Sequence, residues 1–194
     1  MEKTTTKEYK TISFYKTKLD EDEGIVEHFI SIFGIVDLGG DIVHSGAFTK
    51  TLSERAKKIK VLDAHSAFSA LDVVGMPLEI REVGRDALPS DLLEEYPAAT
   101  GGLWAKTQFL LDTPEGLGVF KRLKAGAVSE FSFGYETLDS DEEELKDGTH
   151  VRNLRTLKLW EYSPVIFGMN PAAAVTSAKS ITEDKPAPDV TEDA

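Results

Sequence analysis

Three residues in this chain of 194 could together hydrolyse an acyl or peptide bond: His65 in KVLDAHSAF, Ser132 in SEFSFGYE and Glu161 in LKLWEYSPV. A serine hydroxyl is a poor nucleophile at neutral pH. A histidine that takes its proton, held in place by a third group, is the recurrent remedy. Taken singly, the residues leave alternatives open. A lone histidine at a strand end is commonly structural, and a lone serine is less informative still. Glu161 says more, because an alternating strand would place it with Leu157, Leu159, Ser163 and Val165. A carboxylate on that apolar side loses its water and needs a partner. The partner is either a lysine or arginine, in a structural ion pair, or a histidine Nδ1 proton.

Competing chemistries find little support. The chain has no cysteine, which removes a cysteine nucleophile, a disulfide scaffold and a thiolate zinc site. His28, His44, His65 and His150 never fall at the i, i+4 spacing of a helical zinc pair. There is no G-x-S-x-G elbow, no G-x-x-x-x-G-K-[ST] loop and no G-x-G-x-x-G turn, so neither an α/β-hydrolase nor a nucleotide site is expected. The expectation is a reaction that needs no cofactor and no metal.

The net charge of -12 opposes a general nucleic-acid binder, whose affinity would rest on neutralising phosphates. Half of that charge lies in ETLDSDEEELKDG, residues 136–148, with seven acids against one lysine. That stretch is expected to be a solvated loop. No run approaches the roughly 18 apolar residues of a membrane span, and MEKTTTKEYK lacks the apolar middle of a signal peptide. A soluble, cytosolic protein is expected, with no membrane partner.

The elements that must position the three residues follow from periodicity. Residues 9–16 alternate weakly and suit a strand, and 25–36 (IVEHFISIFGIV) are β-branched and aromatic enough for a strand buried on both faces. Ser45 is expected to cap a helix over 47–58, with Phe48, Leu52 and Ala56 at helical spacing. A strand over 59–64 then delivers His65 to its end. Further strands are expected over 77–83 and 103–111, separated by an irregular or partly helical excursion over 84–102. Thr113 and Pro114 start a helix whose buried stripe is Leu117, Phe120 and Leu123, and Gly126 closes it. In a strand over 127–135, Val128, Glu130, Ser132 and Gly134 share one face, while Phe131, Phe133 and Tyr135 share the other. A last strand covers 154–166. Length and a 41% hydrophobic content fit one core. The reading is a single α+β domain over 1–175, its core about 9–175, built on a mixed or antiparallel sheet or barrel flanked by a few helices. Residues 176–194, acidic and poor in large apolar side chains, are expected to be a disordered tail.

At these residues the chain resembles the prohead proteases of HK97-type tailed phages, which are related in fold to the herpesvirus assembly proteases. Four blocks carry the resemblance in the family's order: FGIVDLGGDIVHSGAFTKTL, KVLDAH, GLWAKTQFLLDTPEGLGVFKRLKAGAVSEFSFGYE and LKLWEYSPVIFGMNPAAAV. The resemblance implies a β-rich herpesvirus-protease-like barrel, with His65 as base, Ser132 as nucleophile and Glu161 as the acidic member. Ser129 is a rival nucleophile on spacing, but it shares a face with the aromatic residues and lacks the family's Ser-x-Gly-aromatic context. The resemblance further implies a serine endopeptidase working inside the immature prohead, in the host cytoplasm. Its substrates would be segments of scaffold or capsid protein, and the enzyme itself. A homodimer is implied by the herpesvirus relatives, and residues 168–170 are candidates for the oxyanion donors. Two departures stand out: Ser66 follows the histidine where relatives often carry an acidic or amide residue, and the excursion over 84–102 is long. They leave room for a catalytically inactive assembly or scaffolding factor of the same fold. A serine esterase acting on small substrates is disfavoured by the missing elbow.

Overall fold

A computed structural model describes residues 8–13, 18–20 and 23–166 of the chain. Among the described residues nine strands pair into one sheet: β1 (Glu8–Ser13), β2 (Lys18–Asp20), β3 (Ile25–Phe33), β4 (Asp41–Val43), β5 (Lys60–Leu62), β6 (Val73–Gly84), β7 (Gly101–Phe109), β8 (Glu130–Glu144) and β9 (His150–Val165). Their order is β1-β8-β9-β5-β6-β7-β3-β2, with β4 also beside β9. β4 and β5 run parallel to β9 and the remaining pairs are antiparallel. Contacts between β1 at one end and β3 near the other curl the sheet into a half-barrel. With helices α1 (Thr49–Arg55), α2 (Ser90–Glu95) and α3 (Pro114–Lys124) around it, this is the α+β architecture expected.

The main core fills the concave side. Phe131, Phe133 and Tyr135 of β8 meet Val26, Ile30 and Phe33 of β3, Leu157, Leu159 and Tyr162 of β9, and Phe120 and Leu123 of α3. A smaller cluster on the other side buries Phe29 and Ile32 under Leu88, Leu92 and Ala99. That explains why β3 is apolar on both faces. The excursion over 84–102 supplies the lid of this second cluster, through a 3-10 turn at Arg85–Ala87 and through α2. It returns into β7 at Gly101, where a Cβ would stand 2.3 Å from the Val83 carbonyl oxygen. The absence of a side chain at Gly101 therefore lets β6 and β7 close.

Helix α3 forms as its sequence directs. The Thr113 hydroxyl accepts the Gly116 N–H at 3.1 Å, and Pro114 occupies the first turn. Lys121, Arg122 and Lys124 lie in the last turn, where the helix dipole favours cations. Its buried residues are Gly116, Val119, Phe120 and Leu123, so Val119 replaces the expected Leu117. Helix α1 departs further. Ser45 does not cap it; Glu82 of β6 reaches over and accepts the N–H groups of Gly46 and Phe48, both at 2.7 Å. A carboxylate from another strand does what the local serine was expected to do.

The acidic stretch is not a loop. Residues through Glu144 continue β8 in a long hairpin with β9. Cross-strand partners offset its charge: Arg155 Nε donates to Asp141 Oδ1 at 2.7 Å, and Lys158 Nζ donates to Glu136 Oε2 at 3.2 Å. The Arg155 hydrogen bond holds the Asp141 carboxyl below its ordinary range. Counting acids within one segment could not reveal the basic strand opposite.

Candidate active site

His65 sits in a tight turn between β5 and β6. The Ser66 N–H donates to the Asp63 carbonyl at 2.8 Å, and both central residues, Ala64 (φ 45°) and His65 (φ 64°), are left-handed. Positive φ at both centres is the sign pattern of a type I′ turn, which glycine and asparagine favour. Holding two ordinary residues there costs of order 1–3 kcal/mol each. The structure around the turn must supply that. The His65 N–H donates to Ser163 Oγ at 3.1 Å, the Asp63 N–H donates to the Asp72 carbonyl, and Asp72 Oδ2 accepts from Phe68 and Ser69 at 2.7 and 2.8 Å. These backbone bonds, that of Ser69 foremost, lower the Asp72 pKa.

Glu161 reaches this turn through a feature that strand periodicity cannot show. In the β8/β9 pairing Gly134 faces Glu161 and Tyr135 faces Leu159, so Trp160 is an extra residue in a bulge. The alternation changes phase there. Leu157, Leu159 and Tyr162 all enter the main core, while Glu161, Ser163 and Val165 turn to the opposite face. The expectation that Glu161 shares the side of Leu157 and Leu159 is therefore corrected. Helix α1 clamps the bulge. Thr51 Oγ1 accepts the Leu159 N–H at 3.1 Å, Arg55 Nη1 donates to the Leu159 carbonyl at 2.6 Å, and the Arg55 guanidinium lies 4.1 Å from the Trp160 ring centroid.

The consequence of the desolvated carboxylate is as its burial demands. Glu161, 3% exposed, finds its partner in a histidine: its Oε1 lies 2.8 Å from His65 Nδ1, and its Oε2 accepts the Ser163 hydroxyl at 2.7 Å. A carboxylate oxygen accepts, so Nδ1 is the donor, and in the neutral ring the lone pair then lies on Nε2. That is the tautomer of a general base.

Ser132 lies on the same patch. It faces Ser163 across the β8/β9 ladder, two register steps from the Gly134–Glu161 pair and so on the same face, and directly opposite residues in such ladders have Cβ atoms about 4.5–5.5 Å apart. On its other side β8 pairs with β1, with Thr11 in register. Ser132 is buried, on the face opposite Phe131 and Phe133. The structure joins His65 to Glu161 directly and places Ser132 opposite Ser163, the residue that contacts both. Ser163 thus belongs to the site as well: it bridges the His65 backbone and the Glu161 side chain. Its only sequence signal was its period-two spacing from Glu161. Ser129 precedes β8 and has no place in this ladder. The proposed oxyanion donors at 168–170 and the tail at 176–194 lie outside the described residues.

Behind this patch, on the core side, sits a buried polar chain. His28 Nε2 lies 3.0 Å from Thr107 Oγ1, which is 2.5 Å from the Tyr162 hydroxyl, and the His28 ring stacks on Phe131 at 3.7 Å. Phe131 and Tyr162 are the chain neighbours of Ser132 and of Glu161 and Ser163. Burial lowers the His28 pKa from 6.5 to about 3. Between these values the unfolded chain binds the proton and the folded one does not, so this stability is complete above pH 6.5 and is lost as pH falls toward 3. The full span is worth on the order of 4–5 kcal/mol. Urea titrations at neutral and acid pH should show a steeper acid loss for the wild type than for His28→Phe, even though the variant is weaker at neutral pH. Equal slopes would contradict this account.

Residues 98–186 match the family model of the caudovirus prohead serine proteases, a span that holds Ser132 and Glu161 and leaves His65 outside. The chain is 25% identical over 177 residues to the prohead protease of Enterobacteria phage HK97, covering 89% of this chain and 69% of that protein. The fold is similar to the bacteriophage T4 capsid assembly protease, with a TM-score of 0.53 at 9% identity, over 84% of this chain and 99% of that one.

Proposed function

We infer that this chain is a prohead protease of tailed-phage type, a serine endopeptidase in which Ser132 is the nucleophile, His65 the general base and Glu161 the group that orients it. The observation that carries this reading is the contact of His65 Nδ1 with Glu161 Oε1 at 2.8 Å, on the sheet face that also presents Ser132. In the first step Ser132 Oγ attacks the peptide carbonyl carbon as His65 Nε2 accepts its proton. The C–N bond then breaks, and the imidazolium returns that proton to the departing amine. Water repeats the sequence on the acyl-enzyme, which frees the acid and restores the serine.

Glu161 fixes the tautomer and stabilises the transient imidazolium, while Ser163 occupies the second carboxylate oxygen so that the ring has one oxygen to choose. The left-handed turn is held to the same group, since Ser163 also accepts the His65 N–H. Base, acid and turn are therefore positioned as one unit.

The relatives are named a prohead protease and a capsid assembly protease. On that footing the substrates are segments of scaffold or capsid protein, and the chain's own polar tail, cut within the prohead during assembly in the host. A catalytically inactive assembly factor of the same fold is not favoured, because the relatives are named proteases and a carboxylate holds His65 at Nδ1, as a general base requires. Co-expression with the cognate capsid protein tests the reading. The expected result is a shortened capsid protein in mass spectra, and an intact one would oppose the reading.

A further inference from the structure

A cavity of about 330 Å³ opens directly beside the patch that carries His65, Ser132 and Glu161. Its near wall is one step away on both sides. Ala64 precedes His65, and Pro164 and Val165 follow Ser163, facing Phe131 and Glu130 in the ladder that holds Ser132. Its volume falls in the roughly 300–1,000 Å³ range of pockets that hold ligands. Its buried lining is hydrocarbon, from Val119 of α3 and Val165 with the half-buried Val128 beside them, whereas Asp63, Glu115 and Arg122 are exposed. Arg122 is turned back along the helix, its Nη1 donating to the Gly118 carbonyl at 2.7 Å. A charged side chain pushed to the depth of Val119 would lose its water among apolar atoms. A hydrocarbon side chain would lose nothing by it.

Gly118 keeps this space open. It stands inside α3, where glycine weakens a helix relative to other residues. The local structure does not require it: its φ is not positive, and a Cβ built there would meet only the end of the flexible Arg122 side chain, at 3.1 Å. A residue that serves neither helix nor turn, on the wall of a cavity beside the nucleophile, fits a position kept small for a ligand.

We propose that this cavity binds an apolar, aliphatic side chain of the substrate next to the bond being cut, with Gly118 setting its depth. The proposal rests on the serine-protease reading above and names the substrate feature that reading leaves open. The test uses two fluorophosphonates that differ only in their alkyl group, methyl against isopentyl, reacted with the full chain and with Gly118→Leu, each checked for folding by thermal melting. The wild type should react with the isopentyl reagent about tenfold faster than with the methyl one, through burial of the added methylenes. Leucine at position 118 should bring that ratio to about one, because its side chain fills the same space. Equal rates in the wild type, or a ratio unchanged by Gly118→Leu, would overturn the pocket while leaving the serine chemistry standing. No reaction of the wild type with either reagent would remove the serine chemistry and the pocket with it.

Discussion

Replacing Ser132 by alanine is expected to yield a folded protein that no longer shortens the capsid protein. The fold should tolerate the change because β8 is held at this point by backbone pairing to β1 and β9 and by Phe131 and Phe133 on the core face. Chemistry should not tolerate it, since the proton that His65 accepts and the oxygen that attacks belong to the same lost group. Removing the nucleophile of such a unit lowers turnover by on the order of 10⁴–10⁶. Circular dichroism should match the wild type while fragment masses disappear from the co-expression assay. Activity within tenfold of the wild type would move the nucleophile elsewhere.

Glu161→Gln should come next in size, and for a different reason. Glutamine keeps the volume and can keep one hydrogen bond to His65, but its amide can also donate to Nδ1, which would put the proton on Nε2 and remove the base. An amide in place of the orienting carboxylate is expected to lower kcat by about 10²–10⁴ with a much smaller change in KM, because the loss falls on the transition state. The Ser163 hydroxyl still finds an acceptor in the glutamine oxygen, so the local structure should persist. Steady-state kinetics on a peptide spanning the capsid cleavage site would measure the split. A kcat within twofold of the wild type would mean that Glu161 is only a structural partner of the turn.

How far the site was legible in the sequence depends on whether its determinants are local. Helix α3 was, because Thr113, Pro114 and Gly126 signal its ends within the segment itself, and Gly126 does adopt a positive φ of 71°. The face of Ser132 was legible too, since Phe131, Phe133 and Tyr135 alternate with it through an unbroken stretch of β8. Glu161 is buried as expected, though not on the face of Leu157 and Leu159 from which its burial was read, and burial alone required a partner. Its direction was not legible. The bulge at Trp160 carries no glycine or proline, and it is fixed by Thr51 and Arg55 more than a hundred residues upstream. Nothing near His65 announces a left-handed turn, because Ala64 and His65 are held there by Ser163 and Asp72 against their own preference. The acidic arm of β8 misled for the same reason: its compensating charges sit on β9. Chemistry-bearing residues were visible by type, and the geometry that joins His65 to Glu161 came from strands and helices distant in sequence.

The account stands on Ser132 being the hydroxyl that His65 activates, and one measurement addresses that directly. The full chain is reacted with a small fluorophosphonate, digested, and the modified residue located by tandem mass spectrometry, with a His65→Ala variant treated in parallel. The account predicts a single adduct on Ser132 in the wild type and none in the variant. An adduct on Ser129 or Ser163, or labelling of Ser132 that persists without His65, would contradict it.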